Sequence, residues 1–155
     1  MIIISSDHAG IELKGKVIKY LEKRRLEYND INLKCDKEGI DYPDVAKELC
    51  NKVLESSNNL GIIICGTGIG VCISSNKIKG IRAALCTDAY MAEMSRKHNN
   101  ANVLCLGARL ESTKDDKNVE TIVQAFIDNF FEGGRHDRRV NKIKELENVV
   151  KEGEI

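Results

Sequence analysis

Gly61-Ile62-Ile63-Ile64-Cys65-Gly66-Thr67-Gly68-Ile69-Gly70 is the stretch that decides the fold. A short apolar run stops at a thiol and opens into a turn holding three glycines, and an amphipathic segment, Val71 to Lys79, follows. Such a run, bounded by glycine, reads as a buried strand. In an open α/β sheet, ligands bind where strands end and helices begin. Glycines at that point let the backbone come close to a ligand and aim its N–H groups inward. The start of a helix adds a partial positive charge that favours anions. The spot suits a phosphate or a developing oxyanion, with a cysteine beside it.

Outward from this stretch, strand-like runs recur at Met1–Ser5, Glu27–Leu33, Arg82–Cys86 and Asn102–Leu106, beside Leu60–Cys65 itself. Helical patterns lie between them. In Ile11–Leu26 the apolar set Leu13, Val17, Tyr20 and Leu21 recurs at helical spacing. Pro43 suits the first turn of a helix running to about Leu54. Val71–Ile78, Ala89–His98 and Val119–Phe130 also read as helices, and a charged helix is predicted from Arg138 to about Lys151. The segments around Gly39 and from Glu111 to Asn118 read as polar loops, and Lys151–Ile155 as a frayed tail. Alternation of strand and helix argues for a parallel sheet covered on both faces, with right-handed crossovers. The expected fold is α/β, a Rossmann-like three-layer α/β/α arrangement with a five-stranded parallel sheet.

The 155 residues suggest a single domain over 1–155, and 42% apolar content can build an ordinary core. The 24 Lys and Arg balance the 24 Asp and Glu, which argues against a nucleic-acid partner. No apolar run approaches the roughly 18 residues of a membrane span. Met1–Ile4 is too short for a signal peptide and lacks a basic segment before it. A soluble, cytoplasmic protein is expected. The six cysteines, Cys35, Cys50, Cys65, Cys72, Cys86 and Cys105, include no CxxC pair, which argues against a structural zinc site. Without an export signal they read as buried, reduced thiols. Cys65 is the exception, because of the glycine turn that follows it.

Three histidines, His8, His98 and His136, each sit beside charged or reactive residues. In a parallel sheet the ends of the first and third strands share an edge, which brings Asp7-His8 near Cys65–Gly70. A thiolate beside a helix start and nearby cations is a usable base, whereas a lone strand-end cysteine is more often plain core. Thr67 carries the only hydroxyl of the turn and could pass a proton between two substrate oxygens. Its ordinary alternative is a turn residue bonding its own backbone. The N–H groups of Gly66 to Gly70 could hold an oxyanion, or merely start a helix. His98 suits acid–base work near neutral pH, or a helix C-terminus, and Asn99 beside it tilts the reading to function. Arg135 and Arg139 are four apart and share a face if helical, and Arg109 lies just past the fifth strand. Any one arginine is usually a solvated charge, but three near glycine turns suggest an anionic ligand. A dinucleotide site fits less well. Gly66-Thr67-Gly68-Ile69-Gly70 departs from G-x-G-x-x-G at Val71, although Asp88 falls about where a ribose-binding acid would.

The chain resembles the sugar-phosphate isomerase family of ribose-5-phosphate isomerase B, which also includes galactose- and allose-phosphate isomerases. The resemblance rests on Ser6-Asp7-His8-Ala9-Gly10, Asp41-Tyr42-Pro43, Cys65 to Gly70, Asn76-Lys77, Gly80-Ile81-Arg82-Ala83, Arg96 to Val103 and Glu132-Gly133-Gly134-Arg135-His136. These pieces span nearly the whole chain in the family's order. The resemblance implies an aldose–ketose isomerase of the pentose phosphate pathway, converting ribose 5-phosphate to ribulose 5-phosphate and back through a cis-enediolate. It implies Cys65 as the base, Thr67 as proton relay, and the amides of Gly66, Gly68, Ile69 and Gly70 around the enediolate. His98 with Asp7 would open the furanose ring. His8, Arg135 and Arg139, with Arg109, would hold the phosphate, and Asn99 and Tyr42 would line the sugar site. No metal or organic cofactor is implied. A homodimer or a dimer of dimers with shared active sites is implied, the C-terminal helix of about 138–151 packing on a partner subunit.

One branch of the family lacks the cysteine and places a glutamate just after the turn. Val71 stands there in this chain, so Cys65 has no competitor. Galactose-6-phosphate isomerase subunits lack the full His98-Asn99-Asn100 pattern or the cysteine turn, which favours the ribose reaction. Two alternatives stay open. One is a six-carbon substrate such as allose 6-phosphate or galactose 6-phosphate. The other is a non-catalytic phosphate- or nucleotide-binding module, which the fold alone would permit.

Overall fold

The computed structural model describes residues 1–31 and 39–148. Five strands, β1 (Ile2–Ser6), β2 (Tyr28–Asp30), β3 (Leu60–Cys65), β4 (Ala83–Leu85) and β5 (Val103–Gly107), form one sheet in the order β2-β1-β3-β5-β4. Every pairing is parallel, as the alternating pattern requires. Ile4 pairs with Ile62, Ile64 with Leu106, and Cys65 with Gly107.

Strands covered on both sides are apolar at successive positions, which is why the run at 61–65 does not alternate. Ile2, Ile4, Ile62, Ile64, Leu104 and Leu106 face one layer of helices, α1 (Ile11–Lys23) and α5 (Asp116–Asp128), through Val17, Leu21, Ile122 and Phe126. Ile3, Ile63, Cys65, Val103 and Cys105 face the other, α2 (Tyr42–Leu54) and α3 (Ile69–Ser75), through Val45, Leu49 and Val71. The helix α4 (Ala89–Asn99) adds Ala92 to the first layer, and α6 (Arg135–Leu146) closes the described chain. Each fully buried aliphatic side chain contributes about 1.5–3 kcal/mol, so both layers are strongly held.

Pro43 sits in the first turn of α2, where its missing N–H costs nothing. The short edge strand β4 is clamped by side chains. Asn76 Oδ1 accepts from the Ala83 N–H at 2.9 Å, and Asn102 Oδ1 accepts from the Arg82 N–H at 2.8 Å.

Several boundaries differ from the periodic pattern. The first helix stops at Lys23, not Leu26, because Arg25 turns left-handed at φ 54°. The Leu26 N–H then bonds the Leu21 carbonyl and the Arg25 N–H the Glu22 carbonyl, a two-bond helix stop. The helix expected from Val71 starts two residues earlier and ends at Ser75. The loop expected over 111–118 contains a 3-10 turn at Glu111–Thr113, and α5 starts at Asp116, capped by Asp115 accepting from the Lys117 N–H at 3.0 Å. The last helix starts at Arg135, not Arg138, directly after Gly133 and Gly134, both at positive φ. Leu33, Cys35 and the tail from Lys151 lie outside the described residues.

Candidate active site

The chain leaves β1 toward β2 on one side, and β3 toward β5 and β4 on the other. The crevice between the carboxyl ends of β1 and β3 is therefore the switch point of the sheet, the usual ligand position in this architecture. Asp7-His8 follows β1 there, and the glycine turn follows β3. The expected neighbourhood is present, with the Asp7 N–H bonded to the Ile64 carbonyl at 3.1 Å.

Cys65 ends β3 at 5% exposure, and the Gly68 N–H donates to its Sγ at 3.2 Å. The ladder to β5 continues into the turn, through Ala108 N–H to the Cys65 carbonyl at 2.8 Å and Arg109 N–H to the Gly66 carbonyl at 2.9 Å. Thr67 is exposed, and its Oγ1 accepts from the Ile69 N–H at 3.3 Å. Accepting that bond leaves its hydroxyl proton to give elsewhere. Thus Gly68 and Ile69 spend their amides on the sulfur and the hydroxyl, so the five N–H groups are not one uniform cradle.

Two side chains from other elements lean on the turn. The Arg109 guanidinium lies against Gly66, its Nη1 3.2 Å from where a Cβ would stand. The Tyr42 ring, from the first turn of α2, lies against Gly70, 2.8 Å from the corresponding point. Asp7 is buried, and its Oδ1 accepts from the Ala9 N–H at 2.9 Å, capping a short 3-10 turn at His8–Gly10. His8 is exposed, with Nδ1 beside Gly39. A thiol, a hydroxyl, a carboxylate, an imidazole, a phenol and a guanidinium thus share one strand edge.

His98, Asn99, Arg135 and Arg139 do not join them within one chain. Parallel strands force each crossover helix to run back, so α4 begins at the carboxyl edge and ends near the start of β5. There the Gly61 N–H bonds the Asn102 carbonyl at 2.8 Å. Cys65 stands four residues further along β3, about 13 Å at strand rise. The amino end of α6 joins this opposite edge. Glu132 N–H bonds the Lys97 carbonyl at 3.1 Å, and the His98 and His136 rings stack at 4.2 Å between centroids and 12° between planes.

His136 was not singled out by sequence reasoning as a site residue, although Gly133-Gly134 before it marks a helix start. It is 4% exposed and accepts from Arg135 Nε at 3.5 Å. Burial lowers its pKa below the ordinary 6.5, and His98, Arg135 and Arg139 push the same way. His98, Glu132 and His136 offer ligand atoms within 4.8 Å of one another. They fit a metal ion poorly, because stacked rings cannot both hold one ion in their planes, and Arg135 already occupies His136 Nε2. Two imidazoles at a helix start with Arg135 and Arg139 suit an oxyanion.

The carboxyl edge of this α/β fold thus carries a thiol, a hydroxyl and a guanidinium at its switch point, an arrangement that suits a small anionic molecule. The model of the Ribose/Galactose Isomerase family matches residues 2–143, and the chain belongs to that family. A protein of Mycoplasma pneumoniae named "probable ribose-5-phosphate isomerase B" is 47% identical over 142 residues, covering 92% of this chain and 91% of its own. The D-erythrulose-4-phosphate isomerase of Pectobacterium atrosepticum is 41% identical over 150 residues, 97% of each chain. The fold matches ribose-5-phosphate isomerase B of Mycoplasma genitalium, solved with bound ribulose-5-phosphate. The TM-score is 0.86 at 41% identity, covering 96% of this chain and 97% of that one. Among the described residues no helix is long and apolar enough to cross a membrane.

Proposed function

We propose that this chain is a ribose-5-phosphate isomerase of the pentose phosphate pathway that uses Cys65 as its base. The observation that carries the reading is the placement of the Cys65 sulfur at the switch point, under an amide donor and beside Thr67 and Arg109. The Cys65 thiolate takes the proton from C2 of the open-chain aldose, and the electron pair moves through C1 to O1. Thr67 passes the O2 proton to O1 across the cis-enediolate, and the thiol returns its proton to C1, leaving the ketone at C2. Positioned proton transfer of this kind contributes about 10²–10⁴-fold. Free turn amides lower the energy of the enediolate oxygens.

Arg109 and His8 hold the phosphate, and Tyr42 lines the sugar. His98, Asn99, Arg135 and Arg139 belong to the same reaction but reach it from a second copy of the chain. Their place at the amino edge of the sheet supports this, since ring opening and phosphate binding need them at the carboxyl edge of a partner. The functional unit is then at least a homodimer.

The four-carbon phosphate isomerase among the relatives favours a second reading, the same chemistry on a sugar of different length. Turnover of ribose 5-phosphate, erythrulose 4-phosphate and allose 6-phosphate, compared through kcat/KM, decides between them. The ribose substrate is expected to lead by at least about tenfold, the discrimination one or two added groups afford. A lead for either other sugar replaces the ribose assignment.

A further inference from the structure

A cleft of about 540 Å3 opens at the amino edge of the sheet, where β3 begins and α4 ends. Its walls carry Arg82, Arg96, Asn58, Asn59 and Asn102, with Phe130 among the apolar residues. Phe130 is largely exposed. Among the described residues no acidic side chain lines the cleft.

The two arginines are fixed but not neutralised. Arg82 Nε donates to the Asn100 carbonyl at 2.8 Å. Arg96, 9% exposed, donates to the carbonyls of Asn129, at 3.2 Å, and Ala101, with its guanidinium 5.4 Å from the Phe126 ring centroid. Each of these acceptors is uncharged. Among the described residues no carboxylate forms an ion pair with either guanidinium, and Glu147 acts on Arg82 only through its field. Burial disfavours the charge on both, and Arg82 also acts unfavourably on Arg96. Two partly buried cations sharing a cleft with no ion-paired carboxylate among the described residues are costly, and an anion between them lowers that cost. Guanidinium groups held in fixed planes are prepared for bidentate oxyanion contact. The side-chain amides around them supply further donors.

We propose that this cleft is a binding site for a small organic oxyanion, a carboxylate or phosphate monoester carrying a short apolar group. The anionic head lies between Arg82 and Arg96, and the apolar part lies against Phe130. Within one chain the cleft lies at the opposite edge of the sheet from Cys65, and it does not depend on the reaction proposed above.

Benzoate and phenyl phosphate are the probes, titrated separately into the isotope-labelled full chain while the Arg82 and Arg96 Nε–H signals are followed by NMR. A saturable shift of both signals is expected with at least one probe, and the stronger probe identifies the head group. Arg82→Met is expected to weaken that binding about tenfold, the effect of one charged hydrogen-bond partner. Ser57→Glu, at an exposed position on the rim, places a carboxylate in the cleft and is expected to weaken binding with the fold untouched. Cys65→Ala and Arg109→Met are expected to leave these shifts as they are. Signals that stay still with both probes, or shifts that persist undiminished in Ser57→Glu, overturn the proposal.

Discussion

At Gly68 the backbone has φ +75°, and an added Cβ would lie 2.5 Å from Leu85 Cδ1 and 2.9 Å from the Leu106 carbonyl carbon. Alanine there is expected to cost about 2–4 kcal/mol, from strain and overlap together, read as a lower urea midpoint. Gly66 behaves differently, because the nearest atom to its added Cβ is the flexible end of Arg109, at 3.2 Å. Gly66→Ala is expected to stay within about 1 kcal/mol of wild type in stability but to raise KM, because it displaces Arg109 from the place where we propose it holds the phosphate. Equal urea midpoints for the two variants would contradict this division. The strand end at Cys65 and the glycine turn after it were legible as one candidate site because strand, thiol and turn are contiguous. The leaning of Arg109 and Tyr42 on particular glycines was not, since it depends on how β5 and α2 approach from elsewhere in the chain.

The joint between α4 and α6 is where the helix pattern was least legible. The helix expected from Arg138 starts three residues earlier, directly after Gly133 and Gly134, which brings His136 onto His98. Because burial lowers the pKa of His136, its contribution to pH dependence has a definite sign. Above 6.5 both folded and unfolded chains leave it neutral. Below that value the unfolded chain takes a proton that the folded chain refuses, so stability falls until the lowered pKa is passed. Urea midpoints are expected to drop more steeply below pH 6.5 for wild type than for His136→Asn. Parallel pH profiles would contradict the assignment. Helix boundaries elsewhere were missed for local reasons, such as the Asp115 cap that starts α5 early and the left-handed Arg25 that stops α1.

Taken as one molecule, the chain carries its two groups of candidate site residues at opposite edges of the sheet. The alternation of strand and helix was enough to anticipate five parallel strands. It also contained the placement of His98, because a helix that ends just before a strand must return to the amino edge. The order β2-β1-β3-β5-β4 was not readable, since several orders satisfy the same right-handed crossovers. If two copies share each site, Cys65→Ala and His98→Ala chains, each inactive alone, complement one another when mixed by refolding. Random pairing makes half the dimers mixed, each with one intact site, so roughly a quarter of wild-type turnover is expected. Mixtures as inactive as the separate variants would show that both residues act from the same chain.

The reading as a whole rests on the Cys65 sulfur moving the substrate proton. Its most direct test is the isomerisation of ribose 5-phosphate by wild type beside Cys65→Ala, with sugar-phosphate binding measured on both. Turnover is expected to fall about a thousandfold in the variant while binding survives. Substantial turnover remaining in Cys65→Ala would contradict it.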